Sequence, residues 1–172
     1  MTETSEPIPR PTDPIGRALF GCAYLFALAG GLLMAAVAIM VVLSVLGRWL
    51  FLAPISGDFE MVEIGTAVAV FLFLPYCHLT KGNVIVDLFL SWAPAKLRSA
   101  CDVASGVLLA VIAAVLAWRM ALGGLDMHRY HEVSIILAIP IWPIFPFAVL
   151  SFALLAAACL YTSARDLKGL FE

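Results

Sequence analysis

The sequence predicts an all-α integral membrane protein with four transmembrane helices and a short interfacial helix between the second and the third. Three observations predict it. Hydrophobic residues make up 63% of the 172 and charged residues only 13%, with a mean hydropathy of +1.04. Soluble domains average roughly 45–50% apolar and ~25% charged, so the chain lacks the polar surface to stay in water. Its apolar residues fall in four long runs, and four spans of ~20 residues plus loops nearly exhaust the length.

Each element follows in order. Residues 1–17 carry Pro7, Pro9, Pro11 and Pro14 among polar neighbours, a composition that reads as a mobile N-terminal tail. The apolar run from Ala18 to Gly47 has no charge and exceeds a cleavable signal core of ~7–15 residues, so it reads as a retained helix. Gly30, Gly31, Ala35, Ala36 and Ala38 offer it a surface for close helix approach. The second span runs from Met61 to Leu79, with Glu63 one turn inside. In the stretch from Gly82 to Ala100, an apolar run bracketed by Asp87 and Pro94 is too short to cross. A helix along the interface, with Trp92 at headgroup level, suits it. The third span runs from Val103 to Leu122, with Arg119 near its end snorkelling to headgroups. The fourth runs from Val133 to Ala164, with Pro140, Pro143 and Pro146 kinking or breaking its first half. Residues 18–165 thus form one membrane domain, followed by a tail at 166–172.

Direction follows from the basic residues. Arg10, Arg17, Lys81, Lys96, Arg98, Arg165 and Lys168 fall on one side; Arg48, Arg119 and Arg129 fall on the other. Positive charge stays inside, so seven against three places both termini in the cytoplasm. Cys22, Cys77, Cys101 and Cys159 then sit in the cytoplasmic halves of their helices, read as small buried hydrophobes without disulfides.

Several polar residues remain to be placed. Glu60 and Glu63 are three apart, sharing a face at the start of the second helix. The loop from Trp49 to Phe59 is short and holds Pro54 and Gly57, so Arg48 and Glu60 are expected to pair. Asp87 in its apolar stretch needs Lys81, Lys96 or a partner group.

Four strings resemble the DctQ-like family, the small membrane subunit of tripartite ATP-independent periplasmic (TRAP) transporters. They are Gly47-Arg48-Trp49-Leu50-Phe51, Gly57-Asp58-Phe59-Glu60, Asn83-Val84-Ile85-Val86-Asp87 and Ile139-Pro140-Ile141-Trp142. Asn83 stands where the family has a His, and Phe59 where it has one of two paired acids. The resemblance implies a non-enzymatic scaffold subunit in the bacterial inner membrane, without cofactor or metal. It also implies two protein partners: a large membrane subunit that moves an organic anion with sodium, and a periplasmic binding protein. Arg48, Glu60, Glu63, Asp87, Pro140 and Trp142 become the structural or partner-docking candidates.

Other classes fit less well. A self-sufficient four-helix exporter needs an acid within its first helix, and the run from Ala18 to Gly47 has none. A haem-holding redox anchor needs histidines at shared depth, yet His78 lies a membrane thickness of ~30 Å from His128 and His131. No Ser and His share a depth, which excludes a membrane protease. The net charge of −2 leaves no basic face for nucleic acid.

Overall fold

The computed structural model describes residues 13–51, 56–80 and 95–171. Its helices are α1 (Pro14–Phe51), α2 (Asp58–Leu79), α3 (Ala95–Arg129) and α4 (Ile144–Phe171), and all four are long and apolar enough to cross a membrane. Most of the expected interfacial stretch lies outside the described residues; its last six, 95–100, already belong to α3.

The helices pack in the order α1, α2, α4, α3, so α4 is central and α1 lies at an edge. Every helix is longer than its apolar run. At ~1.5 Å per residue α1 extends about 57 Å, well beyond a ~30 Å hydrocarbon core. Ala23, Gly30, Val37 and Ser44 recur every seven residues along α1. Gly30 lies over Ala69 and Leu72, Val37 over Gly65, and the Ser44 hydroxyl reaches Asp58. A seven-residue seam in a 3.6-residue helix gives a shallow left-handed crossing. Of the small residues expected at this contact only Gly30 takes part: Gly31 faces open space, and Ala35, Ala36 and Ala38 are exposed.

α4 buries Ala148, Ser151, Phe152, Leu155, Ala158 and Cys159, the three-and-four spacing of a helix covered along one broad side. Ala110, Ala113 and Gly106 of α3 and Phe71 of α2 meet that side. The Ser151 hydroxyl donates to the Phe71 carbonyl, and the Phe71 and Phe152 rings meet edge to face at 5.5 Å. Of the cysteines only Cys159 is buried; Cys22 and Cys77 are exposed and Cys101 is intermediate.

The expected fourth span is corrected at its start. Residues 133–143 form a hairpin, and the helix begins at Ile144. Val133 and Pro140 pair as an antiparallel bridge, Ser134 N–H donates to Ile139 at 2.9 Å, and Ile141 N–H donates to Glu132 at 3.2 Å. Pro140 and Pro143 disfavour helix at Ile139 and Trp142, the residues before them. They therefore end the hairpin and bend nothing in α4. Pro146 falls in the first turn of α4, where its missing N–H would have no helical acceptor. α3 in turn continues past Leu122 through Gly123 and Gly124, because both glycines lie against Phe145.

Candidate functional site

The polar groups gather at one end of the bundle, where α1 ends, α2 starts and the hairpin joins α3 to α4. Gly57 begins α2 in the left-handed region (φ 77°), which a residue with a Cβ adopts at a cost. The Leu137 side chain occupies the space a Cβ would need. Asp58 and Glu60 follow in the first helical turn, where acids suit the positive end of the helix dipole.

The structure separates the two charges expected to pair. Arg48 lies 3.5 Å from Asp58, whose same oxygen accepts the Ser44 hydroxyl at 2.7 Å. Glu60 turns to the hairpin. Its carboxylate accepts the Ser134 hydroxyl at 2.8 Å, Ile136 N–H at 2.8 Å and Leu137 N–H at 2.9 Å. Two backbone donors otherwise left open are satisfied by one charged acceptor, which makes strong bonds. Glu60 is therefore a clamp that holds the hairpin over α2, and the hairpin presents Ile135, 98% exposed, at its tip.

Glu63 diverges from Glu60. It lies on an exposed stripe of α2 with Phe59, Val70, Phe73 and Cys77, and has no partner among the described residues. Pro140 closes the hairpin bridge, while Trp142 packs against His128 with ring centroids 5.1 Å apart. Asp87 lies outside the described residues.

Arg119 differs most from its expected place. Gly124 of α3 lies level with Phe145 of α4, and five residues deeper on each helix are Arg119 and Leu150. The next residue, Ser151, touches Phe71 of α2. Arg119 is therefore level with about Val70. By residue count that is about 18 Å from Asp58 and about 13 Å from Leu79 at ~1.5 Å per residue. By this count the Arg119 backbone belongs to the middle of the span; its side chain is exposed and has no hydrogen bond or ion pair among the described residues. The sequence reading put it near the surface because it ended the third helix at Leu122, two turns too early.

Among the described residues no three His, Cys, Asp or Glu side chains gather as a metal site. His78 meets Thr162 at 3.2 Å at the opposite end of the bundle from His128 and His131. A groove of about 630 Å³ opens between α3 and α4, with Ala121, Leu125, Phe145 and Val149 in its walls and His128 and Trp142 as its polar members.

Two sequence signals for this arrangement lay in view. The seven-residue recurrence of Ala23, Gly30, Val37 and Ser44 marks Ser44 as a seam residue able to reach an acid on α2. The apolar, proline-punctuated string from Val133 to Pro143 marks a segment whose amides need an outside acceptor.

A family model described as tripartite ATP-independent periplasmic transporters, DctQ component, matches residues 37–169, well over half of the chain. No curated protein and no solved structure matches it.

Proposed function

The chain belongs to the DctQ family, the small membrane component of TRAP transporters, and on that premise we propose that it is a fixed scaffold for a larger transporting subunit. The family is a transporter component and not an enzyme family. In this reading the large membrane subunit carries an organic anion inward with sodium, a periplasmic binding protein delivers the solute, and this chain widens the immobile part of the complex. The family match over residues 37–169 carries the reading. Two features support it. The helix surfaces are mostly uncovered, and the buried polar side chains Ser44, Ser151 and Ser163 are isolated from one another, where a solute path would need a continuous row.

The seven-to-three distribution of basic residues supports a bacterial inner-membrane orientation with both termini cytoplasmic and the hairpin end periplasmic. Residues 1–17 and 166–172 are then cytoplasmic ends of a membrane domain at 18–165. Glu63 and Asp87 are the docking candidates, whereas Arg48, Glu60, Pro140 and Trp142 hold the chain's own outer end together.

Reconstitution tests the reading. Proteoliposomes holding the large subunit, this chain and the binding protein should take up solute under a sodium gradient. Vesicles holding this chain alone should take up none, and uptake by the lone chain would overturn the scaffold role. Reporter fusions after Lys168 should read cytoplasmic and fusions near Asp126 periplasmic; the reverse result would overturn the orientation.

A further inference from the structure

Arg119 occupies the position in the chain where a charge is hardest to sustain. An arginine at the centre of a spanning helix costs about 2.5–3.5 kcal/mol on insertion scales, and more on an isolated helix in simulation. Among the described residues it has no counter-charge and no partner, and it is exposed. Escape towards the hairpin-side headgroups is hindered by geometry. Helical side chains lean towards the helix N-terminus. α3 has its N-terminus at the end away from the hairpin, so Arg119 leans away from the hairpin-side surface. The seam that α3 offers to α4 consists of Gly106, Ala110, Ala113 and Gly124. Arg119 and its neighbours Ile112 and Trp118, the last 66% exposed, project away from that seam.

We propose that this face of α3 docks against a transmembrane helix of the large subunit that carries a carboxylate at mid-membrane depth, with Arg119 as the forked donor to it. The choice of occupant rests on charge complementarity and on the scaffold reading above. A lipid tail supplies no acceptor at this depth, whereas an acidic side chain on a neighbouring helix supplies two oxygens in the guanidinium plane. An interhelical pair of this kind also fixes depth and rotation, which apolar packing between helices leaves loose.

The experiment compares the chain alone with the chain in its complex, for Arg119→Leu, Arg119→Lys and the native sequence. Docking predicts opposite signs. Arg119→Leu should raise the yield and thermal midpoint of the lone chain, because an uncompensated cation is gone. The same variant should sharply lower recovery of the large subunit in a detergent pull-down. Arg119→Lys should keep the lone chain as it is and still weaken the complex, since an ammonium cannot bridge two oxygens in one plane. A native pull-down that recovers no large subunit would overturn the scaffold reading and this proposal with it. A native complex that Arg119→Leu and Arg119→Lys leave intact would overturn the docking face alone and return Arg119 to lipid phosphate. A lone chain that fails to fold with Leu at this position would also overturn it, by showing that the guanidinium is held within the chain.

Discussion

α1 and α4 are both long apolar spans, yet α1 buries 6% of its most apolar window inside the protein and α4 buries 33%. The more hydrophobic helix is the less covered one. In water that order would be reversed, because apolar surface drives its own burial. In lipid the tails are as apolar as the side chains, so helices meet where small residues allow close approach and where polar groups need partners. α1 touches α2 along one seven-residue seam, closed by Ser44 and Asp58. α4 meets α2 through Ser151 and Phe152 and meets α3 through Cys159, Ser163 and the glycines opposite them. Packing here is set by glycine, alanine and serine positions and only weakly by hydropathy.

The sharpest way to break this comparison is to enlarge a glycine in each region. A Cβ on Gly124 would lie 2.7 Å from the Phe145 Cβ, so Gly124→Val should force α4 off α3. Overpacking of this kind costs typically 1–3 kcal/mol, and about 3 is expected here because the clash is with a Cβ and cannot be relieved by a rotamer change. Gly31→Val on α1, with open space around it, should be neutral or slightly stabilising. The midpoints of thermal unfolding in one detergent measure both; equal losses would mean that α1 is also covered.

The clamp at Glu60 comes next. Glu60→Ala leaves the amides of Ile136 and Leu137 without their acceptor, and water replaces it in part at this open site. The expected loss is smaller than that of Gly124→Val and confined to the hairpin. Hydrogen exchange should quicken at Ile136 and Leu137 and stay unchanged at Ala110 and Ala113. Uniform quickening would mean that Glu60 supports the whole bundle. Ser151→Ala should cost less again, about 0.6 kcal/mol, the average for interhelical hydrogen bonds in a membrane. The thermal midpoint measures it, and a loss as large as that of Gly124→Val would make this bond, and not the glycine seam, the tie that holds α4.

These effects also mark what the sequence discloses and what it hides. The four spans are legible because uninterrupted apolar length has one solution in a bilayer. The second span is placed within three residues, since Asp58 and Glu60 announce its start. The hairpin is hidden because Val133 to Trp142 is as apolar as a helix interior, and its prolines read equally as kinks or as a stop. That error travels: with the fourth span starting too early and the third ending at Leu122, Arg119 falls two turns nearer the end of its helix than the structure puts it. The Glu60 clamp is hidden for another reason. Its partners are backbone amides more than seventy residues away, and amides leave no trace in residue identity. Arg48 was expected opposite an acid in the next helix and has one, but the near neighbour is Asp58.

The smallest effect belongs to that pair. Arg48 and Asp58 lie 3.5 Å apart with side chains 59% and 21% exposed. An ion pair so open to solvent is screened and restrains a long side chain, so exposed pairs contribute about 0.2–1 kcal/mol and the lower half of that range applies. Ser44 makes the shorter bond to the same carboxylate oxygen, so part of Asp58's satisfaction survives loss of the arginine. A double-mutant cycle on Arg48→Ala and Asp58→Ala should therefore give a coupling of about 0.5 kcal/mol or less, shrinking as salt is added. The matching cycle on Arg48→Ala and Glu60→Ala should give none, because Glu60 directs its oxygens to Ser134, Ile136 and Leu137. Coupling in the second cycle that exceeds the first would restore the pairing expected from the short loop and would require the hairpin amides to find another acceptor.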